Sequence, residues 1–389
     1  MAKSLSGLWL RSLRSLNETK RAQTRLMKIL LPKPARSPAV RKTKAKTPSL
    51  RVKAVTPARK PAARASAPAA VLSGTWKQSY FSTTSPALAA AKRMAYWLYL
   101  PSSASIKTAA PMPLVVMLHG CQQTATDFAT ATRMNQLAER KGFAVLYPQQ
   151  SAASDAHRCW HWYQRAIQNG LGDVQTIAAM IMQVQRRHGL DALRTYAAGL
   201  SAGAALATIL ALRHPALIAA LGVHSAPVFG TADSAMNAYR LMQRGAGSAY
   251  AEVASQAARA IATAVPPAGG MPAIVIHGER DAVIRRINAR QLGQQMQIIN
   301  AAVITGTTPA HRSFPARASG RSPRHAYTTT THLAGKKPQL VQCDISTLGH
   351  AWSGGDDSVR FSTRAGPDAT LMMWTFFARH RRGSGASSA

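Results

Sequence analysis

The chain has 389 residues, which is enough for two average domains or for one large α/β enzyme domain with a tail. It carries 49 Lys and Arg residues against 14 Asp and Glu, and this formal charge of +35 predicts an anionic partner or surface. Three cysteines are too few for a disulfide-dense secreted scaffold, and no apolar run is long enough to span a bilayer. The sequence therefore predicts a protein with a large core and no transmembrane segment.

The basic residues are concentrated in the N-terminal part of the chain. Residues 1–68 hold 18 Lys and Arg against a single Glu, a net charge of +17. Between Leu5 and Leu16 apolar residues recur near helical spacing with Arg among them, which predicts a short basic amphipathic helix. The alternative is a segment that folds only on contact or not at all. Residues 32–70 are rich in Pro, Ala, Lys and Arg, a composition typical of disorder. We therefore expect a largely disordered extension over residues 1–72.

The composition changes at about Leu72, where short apolar runs begin to alternate with longer amphipathic stretches. This rhythm is typical of an α/β fold with a mostly parallel sheet flanked by helices, and we assign it to residues 73–382, followed by a flexible tail over 383–389. Strands are predicted over Met94–Leu100, Leu114–Leu118, Phe143–Tyr147, Thr195–Ala198, Ile218–Val223, Ala273–Ile276 and Leu340–Ile345. Helices are predicted over Thr126–Lys141, Asp173–His188, Ala202–Arg213, Asn288–Asn300 and Asp368–His380. The Arg-, Ser- and Thr-rich stretch Thr305–Lys337 is predicted to be a long exposed loop.

The sharpest local signal is the G-x-S-x-G motif at residues 199–203, which follows a predicted strand and opens a predicted helix. This context is typical of a nucleophile elbow, a turn so tight that only small residues fit beside the serine. Ser201 is therefore the candidate nucleophile.

A serine hydroxyl needs a histidine to take its proton and a carboxylate to orient that histidine, and in α/β-hydrolases the chain order is Ser, acid, His. Asp281 follows the predicted strand Ala273–Ile276, at the sheet edge where catalytic residues gather, and Glu279 is the alternative acid. His350 follows the last predicted strand in a loop of small residues, and is the candidate base. His224 precedes every candidate acid, although it follows a strand close to the elbow.

Acyl transfer also needs two donors for the developing oxyanion. One is expected to be the backbone N–H of Ala202, and the other that of Cys121, in the loop after the predicted strand Leu114–Leu118. His119 in the same loop is interpreted as structural. Cys159 could form a disulfide with Cys121, since both flank the candidate active-site loops and a bridge would fix the oxyanion donor.

The aromatic segment at residues 159–163 has two interpretations, as part of the core or as a surface that binds apolar or aromatic groups. Trp160 and Trp162 in this segment, with Trp352 beside His350, are the candidate substrate-binding residues. Cys343 lies on a predicted strand and is expected to be buried and inert. No P-loop, dinucleotide fingerprint or H-E-x-x-H pair occurs in the sequence, so no metal and no nucleotide cofactor is predicted.

Taken together, five motifs resemble those of the polyhydroxybutyrate depolymerase family of esterases, which is related to feruloyl and acetylxylan esterases of the α/β-hydrolase fold. The motifs occur in order within about residues 73–382, and they are residues 118–123, 158–162, 199–203, 349–355 and 366–369. The resemblance implies a triad of Ser201, Asp281 and His350, with Cys121 in the oxyanion loop.

The expected function is therefore that of a serine esterase acting on a hydroxyalkanoate polyester or its oligomers. The alternatives are a feruloyl or acetylxylan esterase and, from another class, a surface- or DNA-binding protein with a vestigial hydrolase domain. The basic extension is expected to contact an anionic surface, a polyester granule or DNA. No export signal is visible, which favours a cytoplasmic or granule-associated location, with an extracellular one as the alternative.

Overall fold

A computed structural model of the chain describes residues 72–82, 93–102, 110–230, 232–247, 252, 254–256, 258–259, 270–305, 308–318 and 323–383. The predicted amphipathic helix from Leu5 to Leu16, the rest of the basic extension and the last six residues lie outside the described residues. Within the described ranges, every helix is too short or too polar to cross a membrane.

The described strands assemble into one large sheet and one two-stranded ribbon. The sheet has the order β1-β2-β4-β3-β5-β6-β7-β10-β9-β8, and the ribbon pairs β11 with β12. The strands are β1 (Thr75–Ser82), β2 (Arg93–Leu100), β3 (Leu114–Leu118), β4 (Ala144–Pro148), β5 (Thr195–Leu200), β6 (Ala220–His224), β7 (Ala273–Gly278), β8 (Ala310–Phe314), β9 (Tyr327–Ala334), β10 (Lys337–Ile345), β11 (Trp352–Ser353) and β12 (Ser362–Thr363).

The six strands from β4 to β10 in this order run parallel, and the strands beyond them on both sides pair antiparallel. Strands β3 to β7 are buried along their whole length, which explains their continuous apolar sequences, because helices cover both faces of a parallel sheet. Their carboxyl ends meet at one edge, so the loops that follow them lie side by side.

Helices cover both faces of the sheet and complete the core. They are α1 (Ala125–Thr132), α2 (Met134–Lys141), α3 (Arg165–Gln168), α4 (Asp173–His188), α5 (Ala202–Arg213), α6 (Ala235–Arg244), α7 (Ile287–Ile299) and α8 (Ala369–Phe377). One apolar cluster joins the sheet to α4, α5, α6 and α7, and a second joins it to α1, α2 and α8. The architecture is therefore a mostly parallel sheet between two layers of helices, as the sequence predicts.

The prediction of one helix over Thr126–Lys141 is wrong. Arg133 has a φ of 55°, in the left-handed region, and separates α1 from α2. Its backbone N–H donates to the carbonyls of Ala129 and Thr130, which closes the end of α1. Because a left-handed residue ends the run of helical hydrogen bonds, an apolar pattern that continues across it does not reveal the break.

The prediction of a loop over Thr305–Lys337 is also wrong, since β8 and β9 form an antiparallel hairpin on the edge of the sheet. Strand β8 is exposed along most of its length, and β9 has no fully buried residue. Strands with so little burial need no apolar alternation, so their polar sequences resemble those of a loop. Strand β1, at the opposite edge, is likewise half-exposed and was not predicted.

Candidate active site

Ser201 occupies a sharp turn between the end of β5 and the start of α5. Its φ of 57° and ψ of −123° are unusual for a residue with a side chain, and its backbone N–H donates to the carbonyl of His224 at 3.0 Å. A Cβ on Gly203 would lie 2.0 Å from the carbonyl oxygen of Leu118, and a Cβ on Gly199 would lie 2.5 Å from the backbone of Gly203. The turn therefore requires glycine at both positions, as the motif predicts.

Asp281 lies in the loop that follows β7 and is almost completely buried. Its Oδ1 accepts hydrogen bonds from the backbone N–H groups of Val283 at 2.9 Å and Ile284 at 2.8 Å. Its Oδ2 lies 2.7 Å from Nδ1 of His350. Burial alone would raise the pKa of this carboxyl, but His350, through its charge and its hydrogen bond, lowers the pKa to about 2. The carboxylate therefore stays ionised at neutral pH.

His350 lies in the loop after β10, and its side chain is 11% exposed. Because Nδ1 is held by Asp281, Nε2 is the ring nitrogen left to exchange a proton with a substrate or a nucleophile. His350 and Ser201 line the same cleft. This arrangement can activate a serine hydroxyl and stabilise the imidazolium that results.

The other acid and the other histidine that the sequence offered are placed elsewhere. Glu279 is exposed and forms an ion pair with Arg286 at 3.0 Å, and it accepts a hydrogen bond from Ser346. His224 is fully buried behind the elbow and stacks on Trp352, with the ring centroids 5.4 Å apart. Burial lowers the pKa of His224 to about 3, so this histidine is neutral.

The loop after β3 brings Gly120 and Cys121 to the mouth of the cleft beside Ser201. A Cβ on Gly120 would lie 3.6 Å from the Cβ of Ser201, so the two backbones are adjacent. The N–H of Gly120 donates to Oε1 of Gln123 at 2.9 Å. Within the described part of the chain, the N–H of Cys121 has no hydrogen-bond acceptor, and the N–H of Ala202, at the first residue of α5, has no carbonyl one turn earlier in its helix. Both groups are therefore available to a ligand oxygen.

His119 fixes this loop from inside the protein and does not line the cleft. Its Nδ1 donates to the carbonyl of Gly120 at 2.8 Å, and its Nε2 accepts from the backbone N–H of Gln150 at 3.1 Å. Complete burial lowers the pKa of His119 to about 4, so the ring is neutral and can donate and accept at the same time. This contact set fits the structural role predicted for it.

A disulfide joins Cys121 to Cys159, with the Cα atoms 4.3 Å apart and 38 positions between them in the sequence. Trp160, next to Cys159, donates from its indole N–H to the carbonyl of His119 at 3.0 Å. Asp155 accepts hydrogen bonds from the backbone N–H groups of His157 and Cys159. The aromatic segment is therefore tied to the oxyanion loop by one covalent bond and one buried hydrogen bond.

The cleft in front of Ser201 has about 880 Å³ of empty space, including the part open to solvent. Its lining is mainly apolar, with Trp160 and Trp162 on the side of the disulfide loop. Further lining residues are apolar or aromatic, and they are Leu200, Tyr163, Ala238, Met242, Val283 and Phe361. Polar side chains also line the cleft, from Gln122, Gln123, Asp155 and His157. Among the described residues, no group of three or more His, Cys, Asp or Glu side chains is arranged to hold a metal ion.

The structure does not support the predicted substrate-binding role of Trp352. Its side chain is fully buried, its indole N–H donates to Thr370 at 3.1 Å, and it packs edge-on against Phe128. It therefore belongs to the core that supports the elbow. Cys343, in contrast, is buried on β10 as predicted, and burial raises the pKa of its thiol far above its usual range.

Phe361 is a lining residue that the sequence analysis missed. It lies eleven positions after His350 in the sequence and has no motif around it, so only the folded arrangement brings it to the cleft. Its ring lies edge-on to that of His350, with the centroids 6.3 Å apart. No signal in the sequence marks this residue.

Comparison with known proteins shows which family the chain belongs to. The family model described as "Esterase PHB depolymerase" matches residues 94–319, more than half of the chain. The chain belongs to this esterase family. The poly(3-hydroxyalkanoate) depolymerase C of Paucimonas lemoignei is 34% identical over 134 residues, and a probable acetylxylan esterase A of Aspergillus fumigatus is 31% identical over 143 residues. The matches cover 34% and 36% of this chain, and 32% and 37% of the length of those two proteins, respectively.

Solved structures give the PHB depolymerase family member its fold class. The acetyl xylan esterase from Aspergillus awamori superposes with a TM-score of 0.56 at 22% identity, over 71% of this chain and 94% of that one. The fold is therefore that of the α/β-hydrolases, in agreement with the order of the strands and the elbow after β5. The family and the fold predicted from the sequence are both confirmed.

Proposed function

We propose that the domain over residues 73–382 is a serine carboxylic ester hydrolase. In this proposal Ser201 is the nucleophile, His350 the general base and acid, and Asp281 the group that orients His350. The observation that carries the proposal is the 2.7 Å contact between Nδ1 of His350 and the buried carboxylate of Asp281, behind a cleft that holds Ser201 at an elbow. Direct contact matters because a buried carboxylate orients a histidine and stabilises its imidazolium form through a hydrogen bond to the ring.

In the proposed reaction Oγ of Ser201 attacks the ester carbonyl carbon while Nε2 of His350 takes its proton. The N–H groups of Cys121 and Ala202 stabilise the negative charge that develops on the carbonyl oxygen. His350 then returns the proton to the leaving alcohol, and the bond between the carbonyl carbon and that oxygen breaks. Water, deprotonated by His350, releases the acid from the acyl-enzyme and restores Ser201.

Hydroxyalkanoate polyesters or their oligomers are the proposed substrates. The sequence similarity to a poly(3-hydroxyalkanoate) depolymerase and the mainly apolar cleft, with Trp160 and Trp162 on its wall, support this substrate class. Acetyl esters of xylan, or feruloyl esters, are the second candidate. The similarity to acetylxylan esterases at 31% identity favours that candidate over other esters.

The test has two steps. Hydrolysis of p-nitrophenyl butyrate by the full chain, abolished in Ser201→Ala, would establish ester hydrolysis, and its absence would favour a binding protein with a vestigial hydrolase domain. Turnover of hydroxybutyrate trimer is then compared with that of acetylated xylan and methyl ferulate at equal ester concentration. A clear preference for acetylated xylan or for methyl ferulate would overturn the polyester assignment and leave the esterase assignment standing.

We further propose that the basic extension docks the enzyme on an anionic surface, on a polyester granule or on DNA. The net charge of +17 over residues 1–68 is the basis of this proposal. Removal of residues 1–70 should leave turnover of a soluble ester unchanged and reduce adsorption to granules or anionic vesicles. DNA binding would instead be insensitive to sequence and would weaken steeply between about 50 and 200 mM salt. Equal adsorption of the truncated and full chains would contradict the docking role.

A further inference from the structure

Residues 360–361 have an unusual conformation next to the cleft. Phe361 has a φ of 61°, a left-handed conformation that is a true outlier for a bulky side chain. The backbone is held in place by a hydrogen bond of 2.8 Å from the N–H of Trp352 to the carbonyl of Phe361. The side-chain amide of Gln123, which also binds the oxyanion loop, donates to the carbonyl of Arg360 at 3.3 Å. Strain of this kind persists where the surrounding structure holds it, and it often positions a side chain for a ligand.

The chemistry of ester cleavage defines which part of a substrate Phe361 would meet. The histidine that returns the proton to the leaving oxygen must lie beside the alcohol portion of the ester. Phe361 is adjacent to His350, at 6.3 Å between ring centroids, and it lines the cleft. Its ring therefore forms the wall of the cleft on the side of the leaving alcohol.

Arg360 carries a positive charge next to that wall, although it is not itself a lining residue of the cleft. Its guanidinium carbon lies 5.1 Å from the centroid of the Phe361 ring, and the residue is exposed. Among the described residues, no carboxylate lies within ion-pair distance of Arg360. Its acidic neighbours in the chain have other partners, since Asp357 pairs with Arg364 at 3.2 Å and Asp356 lies 3.9 Å from Arg133. Within the described part of the chain, the charge on Arg360 therefore has no carboxylate partner.

We propose that Arg360 and Phe361 form a binding subsite for a leaving alcohol that carries a carboxylate, so that the enzyme prefers to cleave the ester next to a free carboxyl end. The inference rests on the proposed esterase function and extends it to the direction of attack. In a hydroxyalkanoate oligomer, the last hydroxyacid unit leaves as an alcohol that bears such a carboxylate. An exposed guanidinium beside an apolar ring fits this group, because it can pair with the carboxylate while the ring contacts the carbon chain.

The experiment compares two esters that differ only in the charge of the leaving alcohol. These are 3-(butanoyloxy)butanoate, whose leaving group is an anion, and 3-(butanoyloxy)butanamide, whose leaving group is neutral. For Arg360→Gln we expect kcat/KM for the anionic ester to fall about two- to five-fold, which is the size of the contribution of an exposed ion pair. The fall should come from a higher KM rather than from a lower kcat, and kcat/KM for the amide should change little. Arg360→Lys should retain part of the preference, because it keeps the charge without the planar fork.

Arg364→Gln is the matched control, because Arg364 is an exposed arginine in the same segment that is already paired with Asp357. It should change neither ester. In the wild type, the preference lost in Arg360→Gln should also disappear in about 0.5 M salt, since screening removes an exposed ion pair. An equal effect of Arg360→Gln on both esters, or none, would overturn the subsite. If neither these esters nor p-nitrophenyl butyrate is hydrolysed, the esterase proposal itself fails.

Discussion

The centre of the sheet and its β9–β8 edge belong to the same sheet but differ in burial and in strand direction. Strands β5, β6 and β7 are buried on both faces and run parallel, and the candidate residues Ser201 and Asp281 lie in the turns that follow two of them. The β8–β9 hairpin is antiparallel and open to solvent, with Arg, His and Thr along its length. The central strands thus carry both the core and the candidate site, whereas the described edge adds partly buried side chains such as Tyr327 to the core and no lining residue to the cleft.

This difference teaches where one residue can matter to both folding and function. At the centre, Gly203, which allows the elbow, also fits against the carbonyl of Leu118, on the strand that leads into the loop of Gly120 and Cys121. Packing and geometry are therefore fixed by the same contacts. At the edge, β8 pairs with β9 alone and both strands are largely exposed to water, so a change there is expected to have local effects only.

The largest expected difference between the two regions is in activity. Ser201→Ala should lower turnover of p-nitrophenyl butyrate by about 10⁴- to 10⁶-fold and leave the fold intact, because members of a triad act as a unit. Ser313→Ala, at an exposed position of β8, is the matched control and should retain at least half of the activity. Steady-state kinetics with far-ultraviolet circular dichroism measures both effects.

The role proposed for Asp281 can be tested in the same assay. Asp281→Asn should be severe because the amide cannot stabilise the imidazolium, whereas Glu279→Gln should have little effect. More than about a tenth of wild-type activity in Ser201→Ala would exclude the nucleophile. A damaging Glu279→Gln with a mild Asp281→Asn would move the acid to the other residue.

The stability of the two regions should also differ strongly for the same chemical change. Leu221 on β6 is completely buried, and Leu221→Ala should reduce the free energy of unfolding by about 2 to 5 kcal/mol. Leu333 on β9 is 38% exposed, and Leu333→Ala should cost less than about 1 kcal/mol. Urea denaturation of both variants gives the comparison. Equal losses would mean that the edge hairpin is as integral to the cooperative fold as the centre.

The same contrast explains how far the sequence could be interpreted. Helices α4 and α5 have the predicted bounds, and the central strands lie within two residues of theirs, because burial imposes apolar sequences at those positions. Strands β1, β8 and β9 were missed because their side chains are largely in contact with water. The break at Arg133 was missed because no residue type announces a left-handed backbone there.

The candidate site follows the same rule. The structure brings Ser201, Asp281 and His350 close together because each follows a strand, and the order of the strands brings their ends together. The interpretation of Trp352 was wrong because a tryptophan next to a loop histidine can pack inward as easily as toward the substrate, and only the position of Thr370 and Phe128 decides between them. Phe361 could not be predicted, because its place depends on a strained backbone.

Removal of the disulfide between Cys121 and Cys159 tests whether the candidate site depends on its loops as well as on the sheet. Replacing both Cys121 and Cys159 by Ser should lower the free energy of unfolding by about 2 to 4 kcal/mol, as expected for a bridge that closes a long loop. It should also lower kcat about tenfold, because the Cys121 N–H would be held less firmly than before. A reducing agent should reproduce both effects in the wild type and none in the double variant. Unchanged kcat would mean that His119 and Trp160 alone fix the loop.

The smallest expected difference concerns the pH dependence of stability, and it compares His119 in the centre with Ser313, an exposed position of β8. Burial lowers the pKa of His119 to about 4, below the value of about 6.5 expected in the unfolded chain. Below pH 6.5 the unfolded state therefore binds the proton first, so the stability contributed by the neutral ring is full above pH 6.5 and is lost as the pH falls toward 4. Between pH 7 and pH 5 this loss amounts to about 2 kcal/mol for one such histidine.

His119→Gln should therefore flatten the fall in unfolding free energy between pH 7 and pH 5 by about 2 kcal/mol, even though it lowers stability at pH 7 by removing the hydrogen bonds to Gly120 and Gln150. Ser313→Ala should keep the wild-type slope, because it removes no titratable group from the exposed strand β8. Urea titrations at pH 7, 6 and 5 measure the three slopes. A slope in His119→Gln as steep as that of the wild type would mean that His119 takes up its proton in the folded state, and that the oxyanion loop tolerates a charged ring beneath it.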